Sequence, residues 1–417
     1  MITNKSQKAP TFLDLFAGAG GLAEGFIRAG YKPIAFVEKD FNSCLTIKTR
    51  LAYYYLKNTS NFNLYISYLK KLITREELYE QIPEKILNSV IDKVISSSTI
   101  QNIFNTIDKH RNEETIDLII GGPPCQAYSL SGRAADENQM IGDQRNYLYK
   151  YYGKFLQKYS PNIFVFENVP GLYTANDGKY YSRMMEYFKN LGYEVDDNVL
   201  DASDFGVLQR RKRIIVVGSK KEINQPYPTF YKTEHDWTAK ELFEDLPALN
   251  AGEKNEVANY ICEGNEYLNK FEIRNGIDFT TQHITRPHNN KDLKIYRMAI
   301  EKLEKEGKRL RNDEIPDEIR TQNNVSSFLD RFKVVDKSSI AHTMIAHIAK
   351  DGHHFIHPDI EQLRSISVRE AARIQSFPDD YYFEGSRTSA FTQIGNAVPP
   401  LMAFSIAKEI KKQLEKV

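Results

Sequence analysis

Cysteine is scarce: Cys44, Cys125 and Cys262 are the three in 417 residues, too few and too scattered for a disulfide framework or a paired-cysteine zinc site. A reducing, cytoplasmic setting is the expectation, and no metal is expected. No apolar run approaches the ~18 residues a bilayer span needs. The opening MITNKSQKAPT has no apolar core of a secretory signal, so a membrane or secreted protein is not expected. Charge of one sign is missing too. Lys and Arg number 56 against 55 Asp and Glu, and the net charge of +1 does not advertise a polyanion partner. A local basic face would be hidden in that sum. Internal repeats and low-complexity tracts are absent. What is present is ordinary for a folded chain, 41% apolar and 27% charged. The length suits two or three domains of ~150 residues, or one large domain with an insert.

TFLDLF (11–16) is a β-prone run that opens into AGAGG and then LAEGFIRAG, with Leu22, Phe26 and Ile27 at helical spacing and Gly30 as the C-cap. IAFV reads as a second strand that ends at Glu38. Strand, glycine turn, helix and strand closed by an acid make the first unit of a doubly wound α/β sheet. Residues 41–115 read as mostly helical. Three further short apolar runs, IDLIIGG (116–122), NIFVFENV (162–169) and RIIVVGS (213–219), read as buried parallel strands. From about 220 to 340 the chain is more polar, with a helical patch at 292–308; helical periodicity returns at 366–376 and 398–415. The expected architecture is a sheet domain from both chain ends (1–219 and 341–417) with a smaller domain inserted at 220–340.

Two turns carry the chemistry. In DLFAGAGG, Gly18, Gly20 and Gly21 let backbone N–H groups approach a ligand at a helix N-terminus. The spacing is not the GxGxxG of dinucleotide enzymes, since no glycine falls three after Gly20. Glu38 can hold two ribose hydroxyls. In GGPPCQ, Cys125 follows a strand and two stiffening prolines, at the strand end where α/β sheets put their active sites, and a thiolate there is a nucleophile. Cys44 and Cys262 read as bystanders.

FLDLFAGAGG, VEKD, IIGGPPCQAYS, FENV, GVLQRRKR, SVREAARIQSFPDDY and TQIGNAVPP stand in the order found in the DNA (cytosine-5)-methyltransferases of bacterial restriction-modification type, and the chain resembles that family nearly throughout except at about 41–115 and much of 220–330. Amino-methyltransferases carry a different turn, (D/N/S)PP(Y/F/W). The resemblance implies a Rossmann-like methyltransferase domain with an inserted target-recognition domain. It also implies S-adenosylmethionine as methyl donor, S-adenosylhomocysteine as product, and no metal. Cytosine C5 is a poor nucleophile until a thiolate adds at C6, so Cys125 is implied as the attacking group. Charge that develops on the ring calls for a proton donor near N3 and a cation near O2. Glu167 fits the first role and Arg211 the second, with Arg213 as its support. Phe16, Gly18, Gly20, Gly21 and Leu22 would line the cofactor, with Glu38 on the ribose, Lys39 beside the adenine, and Pro123, Leu148, Asn396 and Ala397 completing the pocket. The family's acid for the adenine amino group has no counterpart in TIQNIFNT (99–106); either Asn102 or Asn105 substitutes, or an insertion has shifted the register and Asp108 serves.

The polar stretch 126–145 resembles a loop that closes over DNA with Gln126, Ser129, Ser131 and Arg133 facing it. Arg369, Arg373 and Gln375 brace the junction of the two domains, with Arg369 able to reach a phosphate. Five of nine histidines fall in 341–359, in a stretch that binds no metal in this family. Residues 286–333 hold twelve Lys or Arg against nine Asp or Glu, a mixed surface. The reading is a cytosine-5 methyltransferase acting on a flipped-out base of a specific duplex DNA sequence. It is expected to be monomeric, associated with the nucleoid through DNA, and served by a restriction endonuclease that acts separately. Two rivals stand beside it: a tRNA cytosine-5 methyltransferase, which uses the same constellation, and a catalytically silent DNA-binding relative. A nicotinamide oxidoreductase fails on the glycine spacing.

Overall fold

The computed structural model describes residues 8–124, 147–223, 227–322, 326 and 329–416. All five runs expected as strands enter one sheet. It consists of β1 (Thr11–Leu15), β2 (Lys32–Glu38), β3 (Val90–Asp92), β4 (Leu118–Gly121), β5 (Ile163–Asn168), β6 (Tyr193–Asp201) and β7 (Lys212–Lys220), in the order β3-β2-β1-β4-β5-β7-β6. The five strands from β3 to β5 are parallel. RIIVVGS, expected to be parallel, runs antiparallel to β5 because β6 and β7 follow each other as an antiparallel pair at the sheet edge. β6 carries Glu194, Asp196, Asp197 and Asn198, and its polar alternation on an edge hid it from a search for apolar runs.

Helices cover both faces. α1 (Gly21–Arg28) joins β1 to β2. Four helices fill the gap between β2 and β3: α2 (Phe41–Lys57), α3 (Phe62–Leu69), α4 (Arg75–Glu80) and α5 (Glu84–Leu87). α6 (Ile100–Arg111), α7 (Leu148–Tyr159) and α8 (Lys179–Asn190) lead into β4, β5 and β6. Alternation along β1 divides the core: Phe12 packs with Phe26, Phe36 and Leu118, whereas Leu13 and Leu15 pack with Ile119, Tyr152 and Phe166 on the other face. Gly30, expected as the C-cap of α1, follows the last helical turn with φ +84°.

The second unit contains an antiparallel pair, β8 (Lys254–Asn259) and β9 (Phe279–Ile284), with α9 (Glu266–Lys270) and α10 (Asn290–Glu306). α11 (Val368–Ile374) packs on β9, and α12 (Arg387–Asn396) packs on α11. Residues 341–396 share a core with the insert, in which Leu242, Tyr267 and Leu268 meet Met344, Ile366, Phe377 and Ile394, and Ala19 and Leu208 of the 1–219 part join it. α13 (Pro400–Leu414) does rejoin the sheet domain, against α1. A side chain at Gly25 would meet the Phe404 backbone nitrogen at 2.3 Å, so only glycine lets the two helices come this close.

The arginines of SVREAARIQSFP are consumed inside. Arg373 pairs with Asp245 and Asp379, and Arg369 donates to the carbonyls of Thr281, Pro378 and Tyr381 with no exposed surface, which leaves it nothing to offer a phosphate. Among the described residues, no helix is long and apolar enough to cross a membrane.

Candidate active site

The carboxyl ends of β1, β2, β3, β4 and β5 form one rim. Leu15 pairs with Val37 and Gly121, Gly121 pairs with Phe166, and Glu38 pairs with Asp92. Phe16 follows β1 in a left-handed conformation, φ +58°, which turns the chain sharply into Gly18-Ala19-Gly20. Gly18 donates its N–H to Glu38 Oε2 at 2.8 Å, and Glu38 Oε1 accepts from the backbone of Lys39 and Asp40. The acid is thereby fixed in place, on a carboxylate that can take about four hydrogen bonds. Space beside Gly18 is open, with no atom within 4 Å of where a Cβ would stand.

Gly20 adopts φ +79° and Gly21 starts α1. A Cβ on Gly21 would lie 2.4 Å from the Val398 carbonyl and 3.2 Å from Ala397 Cβ, which sets GNAV against the glycine turn. Leu22 is buried in the core below, Asn396 is exposed at the end of α12, and Leu148 is half-buried at the start of α7. Beneath the turn lies Asp14, 1% exposed, with neither carboxylate oxygen hydrogen-bonded. Burial, with Glu38 nearby, pushes its carboxyl well above the ordinary range.

A second acid stands at this rim beside Glu38. Asp92 ends β3 in register with Glu38 and is exposed. Asn102, Asn105 and Asp108 lie along α6; Asn105 accepts from Gln101, and Asp108 pairs with Arg111 and Lys158, each at 3.0 Å. Two exposed apolar residues flank the acids, Phe41 at the start of α2 (60% exposed) and Val94 just after β3 (54%). Carboxylates for hydroxyl and amino groups, apolar edges for a flat ring and an open glycine turn fit a nucleoside-bearing cofactor. Lys39 is exposed beside them.

The other half of the rim holds the polar pair. Glu167 and Arg213 sit on neighbouring antiparallel strands, and Arg213 Nε lies 2.7 Å from Glu167 Oε1. Gly122 lies directly beneath: a Cβ there would come 2.3 Å from Glu167 Oε2. Asn168 reaches the Pro123 carbonyl at 3.4 Å, tying the ENV strand to the PPC turn. Arg211 lies elsewhere. It is fully buried, and its guanidinium holds the carbonyls of Met344 and, at 3.0 Å, Gly395. Gln209 accepts from the Met344 N–H at 2.7 Å. Cys125, Gln126, Ser129, Ser131 and Arg133 lie outside the described residues. Cys44 is buried, its thiol pushed up to about 12 by burial, and Cys262 is exposed.

The histidine-rich stretch is internally bonded. His353 Nδ1 meets Tyr296 Oη at 2.8 Å, and the imidazole of His342 bonds to the carbonyl of His354. Among the described residues, no group of three or more His, Cys, Asp or Glu is placed to hold a metal ion.

This geometry meets its relatives here. The C-5 cytosine-specific DNA methylase family model matches residues 78–412. The chain is similar to the type II methyltransferase M.Bpa9945I of Bacillus paralicheniformis, 43% identical over 96% of this chain and 98% of the relative. M.DdeI of Desulfomicrobium norvegicum is 32% identical over 97% and 89%. The fold is shared with a prophage-encoded E. coli protein described as a DNA modification methyltransferase, TM-score 0.65 at 22% identity over 98% and 100% of the two chains. A family match across most of the chain, joined to near full-length identity with type II relatives, makes this protein a member of the C-5 cytosine-specific DNA methylases, a DNA (cytosine-5) methyltransferase.

Proposed function

We propose that the protein methylates C5 of a cytosine flipped out of one short duplex DNA motif, with Cys125 as nucleophile and S-adenosylmethionine as methyl donor. The observation that carries this reading is the Glu167–Arg213 pair closed over Gly122, three residues before Cys125. The Cys125 thiolate adds to C6, and its electron pair moves through the ring toward N3 and O2. Glu167 supplies the proton at N3, and the Arg213 guanidinium faces the charge at O2. Arg213 rather than Arg211 takes this role, because Arg211 is spent on buried carbonyls. C5 is then electron-rich, and the bound cofactor supplies an electrophilic methyl group on its sulfonium. Loss of the C5 proton to solvent, return of the N3 proton to Glu167 and departure of the Cys125 thiolate restore the aromatic ring.

Glu38 would take the ribose hydroxyls and Asp92 the adenine amino group, with the adenine edge between Phe41 and Val94. Phe16, Gly18, Gly20 and Gly21 would run beneath the methionine part, with Leu22, Lys39, Pro123, Leu148, Asn396 and Ala397 around it. Gln126, Ser129, Ser131 and Arg133 would face the DNA, and the 220–340 insert would read the sequence. The enzyme would act as a monomer, with a restriction endonuclease as a separate partner in the cell.

The test is to offer mixed-sequence duplex DNA and total tRNA with labelled S-adenosylmethionine and to locate the label. Label at one short DNA motif is expected, each wrong base pair costing ~1–3 kcal/mol. Label confined to one tRNA cytosine would sink the DNA substrate, and no label at all would favour a silent relative.

A further inference from the structure

Beyond Phe41 at the start of α2, helices α2 to α5 have no place in the chemistry described above, yet α2 carries a buried cation that touches both units. Arg50 is 5% exposed. Its Nε and Nη2 hold the two oxygens of Glu24 at 2.9 and 2.6 Å, and its Nη1 holds Asp380 Oδ1 at 2.8 Å. Tyr53, Tyr54 and Tyr381 enclose the guanidinium, their ring centres 3.9, 4.9 and 4.9 Å away. Glu24 is in the first turn of α1, and its N–H bonds to the Gly20 carbonyl. From the other side Tyr381, next to Asp380, donates its hydroxyl to the Ala19 carbonyl, and a Cβ on Gly20 would stand 3.0 Å from that hydroxyl.

The same helical segment grips the FPDDYYF stretch again. Tyr65 donates to the Asp380 carbonyl at 2.7 Å, and Thr49 and Tyr68 both donate to Glu384 Oε1 at 2.5 Å. Tyr65 and Leu69 pack with Ile277 and Phe279 at β9. We propose that this segment is a brace in which Arg50 and Tyr381 are positioning residues, fixing the backbone of the Gly18–Gly21 turn to the second unit so that cofactor affinity depends on how that unit sits. The inference rests on the reading of the turn as the S-adenosylmethionine site. A buried ion triad is a poor source of net stability, since desolvation offsets its Coulomb gain. What it supplies is a fixed geometry: three charged groups and one phenol that fit together in one arrangement of turn, brace and second unit.

The experiment measures S-adenosylhomocysteine binding by titration calorimetry on the full chain. Tyr381→Phe keeps the ring packing and removes only the hydroxyl at Ala19. Its dissociation constant is expected to rise about tenfold, as for one lost buried hydrogen bond. KM for the cofactor should rise in parallel, with kcat at saturating cofactor and DNA affinity unchanged. The second variant, Glu24→Gln/Arg50→Met/Asp380→Asn, removes all three charges together and leaves none buried alone. It is expected to fold and to show the same split between KM and kcat. Cofactor affinity within twofold of wild type in both variants overturns the brace alone. Wild-type protein that takes up no S-adenosylhomocysteine overturns the reading of the turn, and the brace with it.

Discussion

Arg213 reaches diagonally across the β5–β7 ladder to put its Nε 2.7 Å from the Glu167 carboxylate, each side chain seven-eighths buried. Arg211, two residues earlier, is turned away from that pair and fully buried between Met344 and Gly395. One arginine faces the rim and the other staples the second unit.

The two therefore fail differently. Arg213→Ala should lower single-turnover methyl transfer by ~10²–10³, the cost of losing one donor to developing charge, with little change in melting temperature. Arg211→Ala should orphan two buried carbonyls, at ~1–3 kcal/mol each, and lower the melting temperature before it touches the chemical step. The reverse pattern in paired melts and single-turnover assays would reassign the roles.

Gly122→Ala tests the contact beneath the acid. The new methyl group would displace the Glu167 carboxylate, and a shift of about 1 Å costs ~10²-fold in rate. S-adenosylhomocysteine binding should be unaffected. Full activity in this variant would mean that Glu167 is not used where it stands.

Cys125→Ser should abolish methyl transfer while DNA and cofactor still bind, because an alcohol does not ionise near neutral pH as a thiol does. Duplex DNA with 5-fluorocytosine at the target should trap a covalent adduct, since fluorine at C5 cannot leave as a proton. An adduct resistant to denaturing gels is the expected result with wild type, and its absence would remove covalent catalysis.

Asp92→Asn should weaken S-adenosylhomocysteine binding ~10–100-fold, the range for one hydrogen bond to a charged group. Asp108→Asn should not change it, because Asp108 is committed to Arg111 on its own helix and to Lys158 on α7. Equal losses in the two variants would leave the adenine contact unassigned.

Acid lability is expected to begin in the histidine range. Burial holds His288 and His357 down to about 3, and His342 and His354 down to about 4. Unfolded, each titrates near 6.5. Between those values the unfolded chain binds protons that the fold refuses, so stability is complete above about pH 6.5 and falls toward pH 4. A urea midpoint that drops across this window by the equivalent of more than one proton is expected. A flat midpoint down to pH 4.5 would contradict the burial.

The parts of the fold written in local pattern were legible from the sequence. β1, the glycine turn, α1 and Glu38 read directly, as did β4, β5 and β7, because each is a short apolar run closed by a glycine or polar residue. The place of Asp92 beside Glu38 was not legible, because β3 is only three residues long and lacks the apolar run of the other parallel strands. Nor does QRRKR say which arginine is buried, since that depends on Met344 and Gly395, far along the chain. The packing of 341–396 with the insert is likewise a matter of distant contacts that no window of sequence contains.

The closure of α13 on α1 has a consequence for biosynthesis. α1 is translated well before the surface that packs on it, around Ala403 and Phe404. Until then the face of α1 that takes α13 is bare, while Phe26 can already meet Phe12, and Gly21 and Gly25 weaken the helix on their own. The glycine turn therefore reaches its final packing only after α13 has been made.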